Sequence, residues 1–168
     1  MSDTSTALCE VKGRQVGFDG FSLWAVPGTP ECAHFDSIES AIAELPQVEF
    51  PVVHRFTPGM YIRETTLPKN TMLTTHIHIT KHPYVISKGD VTVSASDGMV
   101  RLQAPFTGIT QPGTRRIIYA HEETIWTTFH ATDETDVDKI KAAIFLEHWD
   151  HLEKPDNENE FPRVILTE

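Results

Sequence analysis

Between residues 49 and 131 the chain alternates short β-branched and aromatic stretches with turn residues at nearly regular intervals. The turns include Pro68-Lys69-Asn70, Lys88-Gly89-Asp90 and Ser96-Asp97-Gly98, which are built from residue types that favour tight turns. Short strands with this spacing are typical of an all-β sandwich or barrel. The predicted strands cover residues 49–53, 60–67, 71–79, 84–87, 91–94, 99–103, 115–120 and 125–131.

Two helices are predicted outside this series of strands. The sequence Asp36-Ser37-Ile38-Glu39 resembles a capping box, with an acceptor side chain at the N-cap and Glu three positions later, and predicts a helix that starts there. Acidic residues at 133–138 favour the positive end of a helix dipole and predict a second helix over 137–146. Short strands are predicted at 20–26 and 163–166. The first helix has a predicted apolar face at Ile38, Ala41, Ile42 and Leu45.

The bulk composition is that of one ordinary globular domain. The 168 residues and an apolar content of 39% predict a single domain over 1–168, with its core at about 50–132 and both extensions packed outside it. The formal net charge is −10 with Lys and Arg scattered along the chain, so nucleic acid is not expected as a partner. The sequence contains neither a membrane-length apolar run nor a signal-peptide pattern. We therefore expect no membrane partner and a cytoplasmic location.

Three histidines, His76, His78 and His82, lie close together within this series of strands. Alternation along a regular strand sends His76 and His78 to the same face. His82 precedes Pro83, where we expect the chain to bend and to return a third imidazole to the same place. Three neutral imidazoles suit a divalent transition metal and leave positions open for water or substrate. The alternative is that these are surface histidines on an edge strand.

The segment from Asn70 to Gly89 resembles the first motif of the cupin superfamily, which runs glycine, five residues, His-x-His, three or four residues, glutamate, six residues and glycine. Every spacing fits. Asn70 replaces the first glycine, which is a mild change because asparagine tolerates the turn geometry. His82 replaces the glutamate, so the resemblance implies three histidines on one divalent metal, either Fe, Ni, Mn, Cu or Zn. It also implies an all-β cupin-type double-stranded β-helix, a jelly-roll barrel with a short N-terminal helix and a C-terminal helical segment.

The second cupin motif is matched in part. Residues 108–113 have its glycine and its Pro-Gly turn, but Arg116 stands where the fourth ligand is usual. Arginine keeps its proton and cannot bind a metal. His121 is the nearest substitute and is predicted as a fourth ligand, with His130 beyond it. On a regular strand, an inward Arg115 brings His121 inside, whereas an inward Arg116 sends His121 outside, and the sequence leaves both arrangements open.

Three residues are candidates for substrate binding. Arg115 and Arg116 follow the Pro-Gly turn, and their planar guanidinium groups suit a carboxylate or phosphate, although a solvated basic pair on a loop is the alternative. Tyr84 could donate its phenol into a pocket, while core packing is the more frequent role of such a residue. Glu64 is a further candidate, as the replacement for the carboxylate missing at position 82.

The stretch from about residue 54 to 140 also resembles uncharacterised cupin-like proteins of phages and bacteria. The cupin resemblance implies a metal-binding protein that acts on or binds a small, anionic organic molecule, as a dioxygenase or isomerase in which Arg115 or Arg116 neutralises the substrate. It also implies a homodimer or a higher homo-oligomer. The alternative is a non-catalytic ligand-binding or assembly module without metal, because the motif glutamate and the second-motif histidine are both replaced.

Overall fold

A computed structural model describes residues 23–24, 30–95, 98–146, 152–153 and 163–164 of the protein. Antiparallel strands dominate these ranges, as the regular turns predict. The two helices are α1 (Pro30–Ala43) and α2 (Val137–Ile144). The strands are β1 (Leu23–Trp24), β2 (Val52–Thr57), β3 (Met60–Leu67), β4 (Thr71–Thr74), β5 (Ile77–His78), β6 (His82–Lys88), β7 (Asp90–Ala95), β8 (Gly98–Gln103), β9 (Phe106–Thr110), β10 (Thr114–Arg115), β11 (Ile117–Ala120), β12 (Thr124–Ala131), β13 (Phe145–Leu146), β14 (Leu152–Glu153) and β15 (Arg163–Val164).

Two antiparallel sheets enclose the main core. One has the strand order β2-β3-β12-β6-β9, and the other has the order β4-β11-β7-β8. Both sheets contribute buried side chains to one apolar cluster, so the core lies between them and removes these side chains from water. The cluster consists of Leu67, Tyr84, Ile86 and Trp126 from the first sheet and Val91, Val93, Val100, Leu102, Ile118 and Ala120 from the second.

A third, short sheet has the order β1-β10-β5-β13. Its central strand β5 pairs with β10 at His78 and Thr114, and with β13 at His78 and Phe145. Strand β1 pairs with the other edge of β10. Strand β5, which carries His78, therefore lies between β10, which precedes β11 of the second main sheet, and β13, which follows helix α2.

The predicted strands are largely confirmed, with two differences that matter for the site. The predicted strand 71–79 is broken at Thr75 and His76, and the predicted strand 115–120 is broken at Arg116. Strand β9 was absent from the prediction, because its sequence FTGIT contains a central glycine that reads as a turn residue. The predicted helix over 137–146 ends at Ile144, and Phe145–Leu146 then forms β13.

Helix α1 differs from its predicted form. It begins at Pro30, six residues before the predicted capping box, because proline lacks the N–H group that the first turn of a helix leaves unpaired. The predicted apolar face is wrong at its end, since Leu45 lies beyond the helix and is 57% exposed. Among residues 35–43 of α1, whose side chains are described, Phe35 is the buried one, at 1% exposure.

The two ends of the first histidine motif adopt the turn geometry that the sequence predicts. Asn70 has φ 62°, in the left-handed region where asparagine replaces glycine at small cost. Gly89 has φ 102°, and a Cβ atom there would lie 2.6 Å from the backbone oxygen of Glu123. The close approach of these two chain segments therefore requires glycine at position 89.

No helix in the described part of the chain is both long and apolar enough to cross a membrane. Of the strands predicted at 20–26 and 163–166, residues 23–24 and 163–164 are strands, and the remaining positions lie outside the described residues.

Candidate functional site

A cavity of about 240 Å³ has walls from both main sheets and from the short sheet. Its apolar walls include three aromatic side chains, Phe50, Trp126 and Phe145. Its charged wall residues are both arginines, and no Asp or Glu is found among the described wall residues. In a chain with a formal net charge of −10, this composition is unusual and favours an anion inside. The walls are formed by Phe50, Arg63, Thr65, Leu67, Leu73, Thr74, Thr75, His76, His78, His82, Thr110, Arg116, Ile118, Trp126, Thr128 and Phe145.

One of the two wall arginines, Arg116, lies at a strand break that faces a second strand break. Thr75, between β4 and β5, and Arg116, between β10 and β11, lie side by side. The Thr75 amide donates to the Arg116 carbonyl at 2.8 Å, and the Arg116 amide donates to the Thr75 hydroxyl at 2.9 Å. These two bonds satisfy the backbone where the regular ladder stops.

Arg116 is 2% exposed, yet its guanidinium is incompletely bonded. Its Nη1 donates to the Thr110 hydroxyl at 3.2 Å, and its Cζ lies 5.4 Å from the centre of the Tyr84 ring. Its Nε and Nη2 have no hydrogen-bond partner among the described residues. Burial lowers the pKa of Arg116, but a guanidinium keeps its proton in proteins, so a positive charge remains in the cavity wall.

Arg115 is also buried, at 5% exposure, but it faces helix α1 and does not line the cavity. Its guanidinium pairs with Glu39 and lies 3.9 Å from Asp36, and its Nε donates to the Thr75 carbonyl at 3.1 Å. Its Cζ lies 5.6 Å from the centre of the Phe35 ring. These contacts indicate that Arg115 attaches α1 to the barrel.

Three imidazoles pack against one another beside the cavity, with their planes tilted by 45° and 38°. The His82 ring lies 4.7 Å from His78 and 4.3 Å from His130, measured between ring centres. His82 Nδ1 donates to the Thr80 carbonyl at 3.0 Å, which fixes its tautomer. His78 Nδ1, His82 Nε2 and His130 Nδ1 are buried and have no hydrogen-bond partner within the described ranges.

These three imidazoles are neutral at ordinary pH. Burial lowers the pKa of His78 well below its usual value, and the neighbouring His82 and the charge of Arg116 lower it further. Burial lowers the pKa of His82 to about 4 against the Thr80 carbonyl, which raises it. Burial and then His82 lower the pKa of His130 to about 3. Each ring is therefore available as a neutral hydrogen-bonding group.

The packing of rings continues away from the cavity. The Tyr61 ring lies 5.9 Å from His130, and the Tyr61 hydroxyl shares a hydrogen bond of 2.6 Å with His54 Nδ1. Tyr61 is buried, whereas His54 is partly exposed. A continuous column of aromatic rings thus joins the surface to the histidines of the cavity.

The other predicted site residues occupy different places. His76 lines the cavity and is exposed, with its ring 5.2 Å from Phe145. His121 does not line the cavity, and its Nε2 shares a hydrogen bond of 2.7 Å with the Thr92 hydroxyl. This is the arrangement in which Arg116 faces inward. Tyr84 is a buried core residue between Arg116 and Trp126, whose ring it stacks on at 4.7 Å.

The described side chains do not show the predicted metal centre. Within the described ranges, no three His, Cys, Asp or Glu side chains are grouped so that they could hold a metal ion. Glu64, the candidate replacement carboxylate, pairs with Arg55 at 3.2 Å and does not line the cavity. The residues therefore do not fit a metal ion as a set, and the four-histidine ligand set of His76, His78, His82 and His121 stays a prediction.

One residue of the site was not selected from the sequence. Arg63 lines the cavity from β3, and strand parity is the signal that could have found it, because Arg63 shares a face with Thr65 and Leu67. His130, named from the sequence only as a candidate beyond His121, packs against His82 from β12.

No protein-family model matches the chain, and no curated protein matches its sequence. The chain is similar in structure to a cupin domain of Bordetella pertussis Tohama I, with 10% identity and a TM-score of 0.42 over 52% of this chain and 98% of that one. It is similar to the cupin domain of Schizosaccharomyces pombe Cnp3, with 14% identity and a TM-score of 0.43 over 61% and 71% of the two chains.

A third similar structure is an acetylacetone dioxygenase from Acinetobacter johnsonii, with 17% identity and a TM-score of 0.40 over 52% of this chain and 66% of that one. At such identities the likeness concerns the fold and says nothing about ligands or reactions. The strands of this chain form the facing antiparallel sheets of a jelly roll, which confirms the predicted fold class.

Proposed function

We propose that the protein binds a small organic anion in the barrel cavity, with Arg116 as the counter-charge. The observation that carries the proposal is the buried guanidinium whose Nε and Nη2 have no partner in the described part of the chain. A buried charge without a partner is costly, and its retention favours a ligand that completes it.

The two nitrogens of Arg116 without a partner match a pair of anionic oxygens on one ligand. Nη1 is bonded to Thr110, so the edge formed by Nε and Nη2 is the one left for a ligand. Two parallel N–H groups on one edge of a guanidinium suit the two oxygens of a carboxylate, or two oxygens of a phosphate. His78, which lines the same cavity, offers one further neutral nitrogen at Nδ1. His82 Nε2 is an acceptor, because Nδ1 donates to the Thr80 carbonyl, so it can bind only a ligand atom that carries a proton.

The rest of the cavity favours a compact ligand with an apolar part. Phe50, Leu73 and Trp126 form apolar wall, and threonine hydroxyls lie between them and the basic residues. The volume of about 240 Å³ is below the range of roughly 300–1,000 Å³ that is usual for drug-sized ligands. A small aromatic or aliphatic acid fits these walls better than a nucleotide or a sugar phosphate.

Calorimetric titration with sodium benzoate, sodium pyruvate and inorganic phosphate tests the proposal, with benzamide as the neutral match for benzoate. We expect at least one anion to bind and to raise the melting temperature, because a ligand of the native state stabilises it. Arg116→Met should abolish this binding. Arg101→Met removes an equal charge from the outer Asp90–Arg101 pair and should preserve it. Equal anion binding by the Arg116→Met variant, or none by the wild type, contradicts the proposal.

A metal-dependent oxygenase or isomerase activity, which the cupin resemblance implies, stays a prediction. The homo-oligomer and the cytoplasmic location also stay predictions. Elemental analysis of protein purified without a histidine tag tests the metal-dependent activity. Close to one equivalent of a transition metal, lost in His78→Ala, would favour the metal-dependent reaction. Protein without metal that still binds an anion would favour the ligand-binding module.

A further inference from the structure

The histidines of the cavity share it with a fixed positive charge. Arg116 lines the same cavity as His76, His78 and His82. Its guanidinium is buried, so its positive charge is poorly screened from the rings that share this wall. A fixed positive charge opposes a divalent cation on these nitrogens twice as strongly as a single proton, because the interaction scales with the charge.

No acidic side chain in the described cavity wall offsets this charge. Two glutamates outside the cavity wall are already paired with other arginines: Glu64 pairs with Arg55, and Glu39 pairs with Arg115. A divalent ion on neutral imidazoles would therefore add two charges to those of Arg63 and Arg116. Uncompensated buried charges of one sign are among the least favourable arrangements in a protein.

The grouping of the side chains also does not favour an ion. The rings of His78, His82 and His130 are tilted by 45° and 38°, with centres 4.7 and 4.3 Å apart. A metal ion needs donor atoms that converge on one point, and no three His, Cys, Asp or Glu side chains in the described part of the chain are grouped in that way. The unbonded Nε and Nη2 of Arg116, in contrast, lie on one edge and are both available to one anion.

We infer that Arg116 keeps divalent metals out of this cavity and takes their place as the positive charge that holds the ligand, so that anion binding requires no metal. The identity of the ligand rests on the proposed function, whereas the exclusion of metal is a separate statement about charge. The same reasoning predicts that Arg116→His, which removes the charge and adds an imidazole, turns the cavity into a metal site.

Equilibrium dialysis of tag-free protein against Zn²⁺, Ni²⁺ and Co²⁺, followed by elemental analysis, tests this inference. We expect the wild type to retain far less than one equivalent of each metal. The Arg116→His variant should retain about one equivalent and bind Zn²⁺ about 100-fold more tightly, because a nearby unit charge is removed. Bound Co²⁺ should show visible absorption bands of imidazole coordination, and His82→Ala in the Arg116→His background should remove them.

Arg116→Met separates the two effects, because it removes the charge without adding a donor. Its Zn²⁺ affinity should lie between those of the wild type and Arg116→His. An Arg116→Met protein that melts cooperatively and binds Zn²⁺ no better than the wild type would show that charge is not what excludes the metal. One equivalent of metal in the wild type, lost in His82→Ala, would overturn the inference directly without relying on any Arg116 variant.

Benzoate titration of the wild type with and without EDTA distinguishes this inference from the proposed function. Benzoate binding that is unchanged by EDTA supports both. Benzoate binding that requires added metal overturns the inference and leaves the proposed function standing. An absence of anion binding, together with metal exclusion in the wild type and metal uptake by Arg116→His, overturns the proposed function and leaves the exclusion of metal supported.

Discussion

Two adjacent arginines serve two regions of the molecule that differ in charge balance. On the helix side, Arg115 pairs with Glu39 and lies near Asp36, so the buried guanidinium has carboxylates around it. On the cavity side, Arg116 has a hydroxyl and an aromatic ring beside it and no acidic partner in the described cavity wall. Both side chains are buried to a similar extent. Burial therefore does not distinguish a structural arginine from a binding one, whereas the remaining hydrogen-bonding capacity does.

This difference follows from the alternation of side chains along a strand. Arg116 faces inward, as Ile118 and Ala120 do, so the preceding residue, Arg115, points to the other side, toward α1. On the helix side, carboxylates balance the buried charge without a ligand, so these interactions contribute to folding. On the cavity side, the buried charge is balanced only by the proposed anion, so these interactions contribute to binding and lower the stability of the ligand-free protein.

The largest effect is expected on the helix side. Arg115→Met should lower the free energy of unfolding by about 3 kcal/mol, because it removes a buried ion pair, a bond to the Thr75 carbonyl and the packing on Phe35. Urea titration measures the change. A loss below about 0.5 kcal/mol, the size of an ordinary surface substitution, would mean that the helix contact is not structural.

Acid should destabilise the cavity side before the helix side. The pKa of His130 is lowered to about 3 in the folded protein, so its contribution to stability is complete above the unfolded value near 6.5 and is lost as the pH falls toward 3. At pH 5 this one residue should cost about 2 kcal/mol relative to pH 7. His130→Phe should reduce the difference in unfolding free energy between these two pH values, and identical differences in both proteins would refute the effect.

Arg116→Met should act in the opposite direction to Arg115→Met. Replacing an unpaired buried charge by an apolar side chain of similar volume should raise the unfolding free energy of the ligand-free protein by about 1–2 kcal/mol. Thermal melts of the two methionine variants, compared side by side, measure the contrast. A loss of stability as large as that of Arg115→Met would show that Arg116 is a structural residue as well.

The smallest effect is expected at Glu39, which is partly exposed. Burial raises the pKa of Glu39, but the Thr74 hydroxyl and the Arg115 guanidinium lower it by more. The pKa of this carboxyl group therefore lies below its usual value. Its contribution is therefore present at neutral pH and is lost as the pH falls below about 4.5. Glu39→Gln should cost about 1 kcal/mol at pH 7 and less at pH 3, as measured by urea titration at both values.

The sequence predicts the fold well because the turns are encoded locally. Asn70 and Gly89 have the backbone angles that their residue types favour, and the strands between them follow the period of two. The start of helix α1 was predicted six residues late, because the capping box at Asp36 was chosen over Pro30, which is also a local start signal. Its contact with Arg115 joins segments that are far apart in the sequence, and propensity within a short segment cannot predict such a contact.

The site was predicted in part for a related reason. His76, His78 and His82 line one cavity, as their spacing suggests. Strand parity assigns Arg116, Ile118 and Ala120 to one face and His121 to the other, but it does not say which face is inside. Arg116 lines the cavity and Ile118 and Ala120 lie in the core, so His121 lies outside the cavity.

The short sheet has a further consequence for how such a protein can diversify. Phe145 reaches the cavity from β13, outside the strands β2 to β12 that build the barrel, and it packs on both His76 and His78. Substitutions in β13 can change this part of the cavity wall while the two main sheets keep their sequence. Ligand preference can therefore change without substitutions in the core that stabilises the fold.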